Sequence, residues 1–146
     1  MKLEGRVEIH APRPAVWAVI TDPALITPCL PGVKSIEKLD GGRFAAHASV
    51  RFGFINLKVV VNAEFSELHE PDEATVIASG RASGSAVDVT AKMVLTDVPD
   101  GSTVLVWTAN VSMSGMFASV GAQMLDETAN KVIGETFECI KARLEA

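Results

Sequence analysis

Residues 27–44 read TPCLPGVKSIEKLDGGRF, and the reading of this stretch decides the fold. A segment of helical spacing ends at Pro31-Gly32, and an alternating one begins at Val33. Proline before glycine makes a sharp exit, so Leu30 can turn inward while Val33 opens a strand. Upstream, MKLEGRVEIH alternates, with Leu3, Gly5, Val7 and Ile9 on one face and charged residues on the other, which predicts a half-buried first strand. Pro12 and Pro14 break that strand. Val16, Trp17 and Ile20 then suit a short helix started by proline, and Asp22-Pro23 opens a second short helix running through Cys29.

Downstream of Val33 the pattern is strands cut by turn chemistry. Asp40-Gly41-Gly42, Gly53 with Asn56, Glu70-Pro71-Asp72, Ser83-Gly84-Ser85 and Pro99-Asp100-Gly101 divide residues 33–113 into six strands. Connections this short join antiparallel neighbours. From Met116 to Leu144 there is no proline, and Val120, Met124, Ala129, Val132, Phe137, Ile140 and Leu144 recur at helical spacing, which predicts one long helix. The expected architecture is α+β: a seven-stranded antiparallel sheet curled around a long C-terminal helix, with two short helices after strand 1. A length of 146 residues fits one domain over 1–146.

Alternation assigns an inward face to the sheet, and alanine is frequent on it. With glycines in the facing helix, these small residues leave volume that a curved sheet needs bulky side chains to fill. An apolar cavity follows as the expectation. Its candidate ligand contacts are Leu25, Leu30, Phe44, Ala46, Ala48, Val61, Ala63, Ala78, Ala91, Met93, Trp107, Ala109, Met113, Met116, Phe117, Val120 and Met124, the methionines being adaptable to varied apolar shapes. The competing reading is that small residues let the helix dock closely over a solid core.

Composition excludes several classes. A formal net charge of -5 with scattered basic residues argues against a nucleic-acid partner. No apolar run reaches the length of a membrane span, and the N-terminus lacks a signal peptide's apolar centre, so a cytoplasmic protein is expected. Cys29 and Cys139 have no CxxC partner and are expected to be reduced and unpaired, Cys29 as a buried structural residue at a hinge and not as a reactive thiol.

Catalytic chemistry is sparse. His10, His47 and His69 do not pair at metal-ligand spacing, so no metal is expected. The DGGRF segment lacks a phosphate-loop frame, and the serine-rich turns lack an activating base. Asp88, Lys92, Asn62 and Glu64 fall on the outward face, which leaves the expected cavity nearly free of acid or base. No catalytic residue and no cofactor is assigned.

The frame APRPAVWAVITDPALITPCLPG, the opening MKLEG and the late GMFASVGAQML resemble the CoxG family of carbon monoxide dehydrogenase subunits, within the START/Bet v 1-like (SRPBCC) superfamily. The resemblance spans nearly the whole chain and is most specific at Asp22-Pro23 and Cys29-Leu30-Pro31-Gly32. It implies the helix-grip fold, an apolar cavity, and a role as an accessory factor of molybdenum-containing dehydrogenases linked to membrane recruitment and to quinone or lipid binding. Larger relatives continue into a hydrophobic C-terminal segment, whereas this sequence stops at Ala146, so transient contact with the inner face of the cell membrane is expected. Two alternatives stand beside this one: a cyclase- or dehydratase-like enzyme, which needs His47, Asp88 or Lys92 to point inward, and a solid-core docking protein.

Overall fold

In the computed structural model, strand β1 (Lys2–Ile9) is followed by helix α1 (Arg13–Ile20) and helix α2 (Pro23–Ile26), the latter continued by a tighter turn over Thr27–Cys29. Strands β2 (Val33–Lys38), β3 (Arg43–Phe52), β4 (Ile55–His69), β5 (Glu73–Ala82), β6 (Ser85–Asp97) and β7 (Thr103–Gly115) then form a meander. Helices α3 (Met116–Ser119) and α4 (Ala122–Leu144) complete the chain. The structure describes residues 1–52, 55–119 and 122–145. The expected long helix is thus present as α3 and α4, and the expected second short helix is a single α-helical turn that tightens before Cys29.

All seven strands belong to one sheet, in the order β1-β7-β6-β5-β4-β3-β2, and every pairing is antiparallel. Register carries the alternation across the sheet. Phe44, Ala63, Ala78, Val89 and Val111 are successive cross-strand partners, and so are Ala46, Val61, Gly80, Val87 and Met113. Because side chains alternate with a period of 2, a slip of one residue would send each such band to the outer face. The sheet and its helices have the helix-grip arrangement.

Two apolar clusters hold α4 on the sheet. The larger joins Ile9, Val16, Trp17, Ile20, Cys29, Leu105 and Ile140, with Phe137 and Leu144 packed against it. Ile9, Val16 and Leu105 are fully buried, so α1 and the C-terminal turns of α4 close one end of the sheet. The smaller centres on Val59 and Leu125, with Val50, Leu57, Val61, Val87 and Met113 around them, and it seats the first turns of α4. Fully burying one large aliphatic side chain contributes about 1.5–3 kcal/mol. Polar links reinforce the first end: Asp22 caps α2 through Ala24 N at 2.9 Å, Arg143 donates to the Leu25 carbonyl, His10 N donates to Glu145 at 2.9 Å, and Arg13 pairs with Asp72 and, at 3.1 Å, with Asp97.

The cysteines overturn the expectation of free thiols. Cys29 and Cys139 form a disulfide, with their Cα atoms 5.3 Å apart and a sequence separation of 110. Spacing along the chain holds no sign of this contact, because it arises only where α4 crosses the turn after α2. Cys29 is buried at 4% exposure and has no free sulfur for nucleophilic chemistry. Gly32, two residues past Leu30, has φ +82°, and a side chain there would run into the Ser49 carbonyl, so the CLPG hinge needs glycine on both counts.

Removing the disulfide should lower unfolding stability by about 2–5 kcal/mol, the usual cost for a small domain. Urea denaturation of Cys29→Ser checks this, and reductant should bring the wild-type midpoint to that of the variant while leaving the variant unmoved.

Candidate functional site

Between the two clusters, the middle of α4 stands off the sheet. The space is an apolar hollow of 470 Å³, open to solvent, with Met1 and Leu3 in its lining. Its floor is the inner face of β6 and β7, with Val89, Ala91, Met93, Trp107, Ala109, Val111 and Met113, and Leu3 marks its edge. Its roof is α4, from Leu125 through Ala129, Ile133 and Phe137, residues at spacings of four, and Leu30 of the CLPG stretch closes one side. Among the described residues, no titratable side chain lines it. Thr136, one of two hydroxyl-bearing residues in the lining, donates its Oγ1 proton to the Val132 carbonyl at 2.7 Å.

The floor stays open because Gly5 lies directly opposite Trp107 in the β1–β7 ladder. A Cβ on Gly5 would meet Cζ2, Cε2 and Nε1 of the indole at 2.7–2.8 Å, so the ring occupies the room a side chain would have taken. Glycine at position 134 of α4 has a different meaning. A Cβ there would touch nothing within 4 Å, so this glycine does not serve close docking of helix on sheet.

A second hollow, of 520 Å³, lies on the other flank of α4. It is bounded by Pro31 and Gly32, by Ser49, Val50 and Arg51 of β3, and by Met124, Glu127, Thr128, Lys131, Val132 and Glu135 of α4. Thr128 and Val132 line both hollows.

The candidate ligand contacts distribute unevenly. Leu30, Ala91, Met93, Trp107, Ala109 and Met113 come together in the apolar hollow, and Met124 lines the second. Phe44 and Ala63 border a smaller space, of 260 Å³, with Leu39, Arg43 and Glu64. Ala46, Ala48, Val61 and Ala78 sit on the inner face but line none of these spaces, and Leu25, 37% exposed on α2, lines none either. Val120 and the side chains of Met116 and Phe117 lie outside the described residues. On the helix side of the apolar hollow stand Leu125, Ala129, Ile133 and Phe137, whose i, i+4 spacing was the available signal.

The groups an enzyme reading requires face outward. His47 is exposed on β3. Asp88 accepts from Ser79 Oγ at 2.7 Å and pairs with Arg81 at 3.3 Å, and the Ser79 hydrogen bond, followed by Arg81, holds its carboxyl below the usual range. Lys92 pairs with Glu73 at 3.6 Å. Among the described residues, Glu8, His10 and Asp100 could bring three metal-ligand atoms within 4.8 Å of one another. All three are exposed, and turn chemistry already engages two of them: Ser102 N donates to Asp100 at 2.9 Å, and Ser102 Oγ lies 2.9 Å from His10 Nδ1.

These features define a START-like helix-grip protein with an apolar hollow under its long helix. Solved structures share the fold: a conserved protein from Geobacillus kaustophilus (TM-score 0.93, 22% identity, 99% of this chain and 95% of that one), a START superfamily protein from Mycobacterium smegmatis (0.77, 11%, 99% and 97%) and an aromatase/cyclase from a Streptomyces species (0.72, 14%, 99% and 93%). No curated protein matches the sequence. The profile of CoxG, the carbon monoxide dehydrogenase G-subunit family, matches residues 5–145, and the chain belongs to that family.

Gly5→Val should push the indole of Trp107 into the hollow and reduce its volume. The check is the emission maximum and acrylamide accessibility of Trp107, read in a Trp17→Phe background with a far-UV spectrum held as control.

Proposed function

We propose that this chain binds one elongated apolar molecule, a prenylated quinone or a related lipid, in the hollow between α4 and strands β6 and β7, and presents it to a molybdenum-containing oxidoreductase of the carbon monoxide dehydrogenase type. The observation that carries this reading is a hollow of 470 Å³ with a lining that offers apolar contact and no titratable side chain among the described residues. Ligand sites commonly occupy about 300–1,000 Å³ and are mainly apolar. Membership of a family named for a component of a dehydrogenase supports an accessory role. Burying hydrocarbon contributes about 0.8 kcal/mol per CH₂, so a few isoprenoid units offset the entropy of association.

The role is carriage and positioning, not catalysis. Acid–base chemistry needs a titratable group within hydrogen-bond reach of the bound molecule. His47, Asp88 and Lys92 lie on the opposite face of the sheet, which disfavours a cyclase-like reading despite the fold shared with an aromatase/cyclase. No helix is long and apolar enough to cross a membrane among the described residues, and contact with the inner face of the cell membrane would be transient and peripheral. In that reducing compartment, the Cys29–Cys139 bond would follow the local redox poise.

Filling the floor tests the reading. Ala109 is 8% exposed and lines the hollow, so Ala109→Phe places a ring in the binding space. Wild-type protein should show saturable quenching of Trp107 by decylubiquinone, and Ala109→Phe should weaken binding at least tenfold, about 1.4 kcal/mol. Equal binding by the two proteins, or none by either, would sink the proposal.

A further inference from the structure

Between Thr21 and Ala45, Cys29 is the only buried residue. The part of this stretch that precedes β2 is lightly fastened. Helix α2 has no buried residue, and Ile26 packs against the larger apolar cluster while only partly covered. The backbone bonds here are short-range: Leu25 N and Ile26 N donate to the Asp22 carbonyl, and Leu30 N donates to the Thr27 carbonyl. Beyond them Ser49 N donates to the Gly32 carbonyl at 2.8 Å. Toward α4 the stretch is held by the donation from Arg143 to the Leu25 carbonyl and by the disulfide from Cys29 to Cys139.

That disulfide stands at the wall of the apolar hollow. Leu30, the residue after Cys29, lines the hollow on one side, and Thr136 and Phe137, just before Cys139, line it from α4. We propose that the Cys29–Cys139 bond is a redox latch on the hollow. Oxidised, it holds the α2–CLPG segment against α4 and retains a bound molecule. Reduced, it lets the segment part from α4 and Leu30 leave the wall, so that the molecule is released. This inference rests on the proposed binding function and adds its regulation.

A segment that buries little apolar surface opens at low free-energy cost once its cross-link is gone. The body of the fold has other anchors, since Ile9, Val16, Leu105 and Ile140 are buried together beside the disulfide. The reductant is a dithiol of the class that keeps thiols reduced inside cells, where a disulfide generally has a transient or sensing use. Its thiolate attacks Sγ of Cys139, the half-buried partner, which forms a mixed disulfide and expels the Cys29 thiolate, and that thiolate takes up a proton. The second thiol of the reductant, deprotonated, closes onto the mixed disulfide and expels the Cys139 thiolate, which is protonated in turn. Two electrons and two protons thus pass to the cysteine pair, and the dithiol leaves as its own disulfide.

Two measurements test the latch. In ligand-free wild type, dithiothreitol should speed amide hydrogen exchange at residues 24–32 by about tenfold or more, with little change in α1, β6 and β7. Decylubiquinone should leave Cys29→Ala/Cys139→Ala about tenfold or more faster than oxidised wild type, read by Trp107 fluorescence with Trp17→Phe in both proteins. The thiol-free variant keeps reductant away from the quinone, with a far-UV spectrum as fold control. If it does not fold, wild type reduced and then desalted without oxygen takes its place. Unchanged exchange at 24–32, or a rise spread evenly over the chain as from a general staple, would overturn the latch. Faster exchange at 24–32 with an unchanged release rate would overturn the gate, because the segment would open without freeing the ligand. Wild type that binds no decylubiquinone would remove the binding function and the gate with it, while the exchange measurement would still decide whether the disulfide fastens the segment.

Discussion

Helix α4 is held at its two ends and spans free space between them. Ile140, with Phe137 and Leu144 beside it, is locked into the cluster that includes Ile9, Val16 and Leu105, and Leu125 is locked against Val59. The disulfide to Cys29 adds a covalent tie at the first of these anchors. A helix fixed at both ends cannot settle onto the floor of β6 and β7, because rigid packing at the ends forbids further approach. The hollow is the residue of that constraint.

The same constraint sorts polarity. Charged groups of the sheet are carried on its outer face, where Asp88, Arg81, Lys92 and Glu73 satisfy one another in solvent, each such pair adding little to stability. The inner face is left to apolar atoms. The charged residues of α4 on the flank towards β3 and the CLPG turn, Glu127, Lys131 and Glu135, are exposed to solvent.

Close approach at two glycines maintains this arrangement. Gly5 gives up its side-chain space to the Trp107 indole, which would otherwise stand into the hollow, and Gly32 lets the hinge pass the Ser49 carbonyl. A glycine costs backbone entropy relative to alanine, and each of these two returns it as geometry that a larger residue denies. Gly134 has no such partner, and nothing in the structure explains it.

The sequence by itself determined the strands, their order in the meander and the face each side chain takes. Alternation has a period of 2, turn residues are local, and antiparallel neighbours joined by short connections leave little choice of register. That is why Ala91, Met93, Trp107, Ala109 and Met113 were legible as lining residues from alternation alone. Tertiary structure alone decided where α4 comes to rest, and three results follow from that placement: Cys139 against Cys29, Leu125, Ala129, Ile133 and Phe137 as the helix side of the hollow, and an open floor at β6–β7. None of these is local in sequence. Helical periodicity states which residues share a face, but the point along a sheet where that face lands depends on the anchors at both ends, whose partners on β1, α1 and the CLPG turn lie far away in the chain.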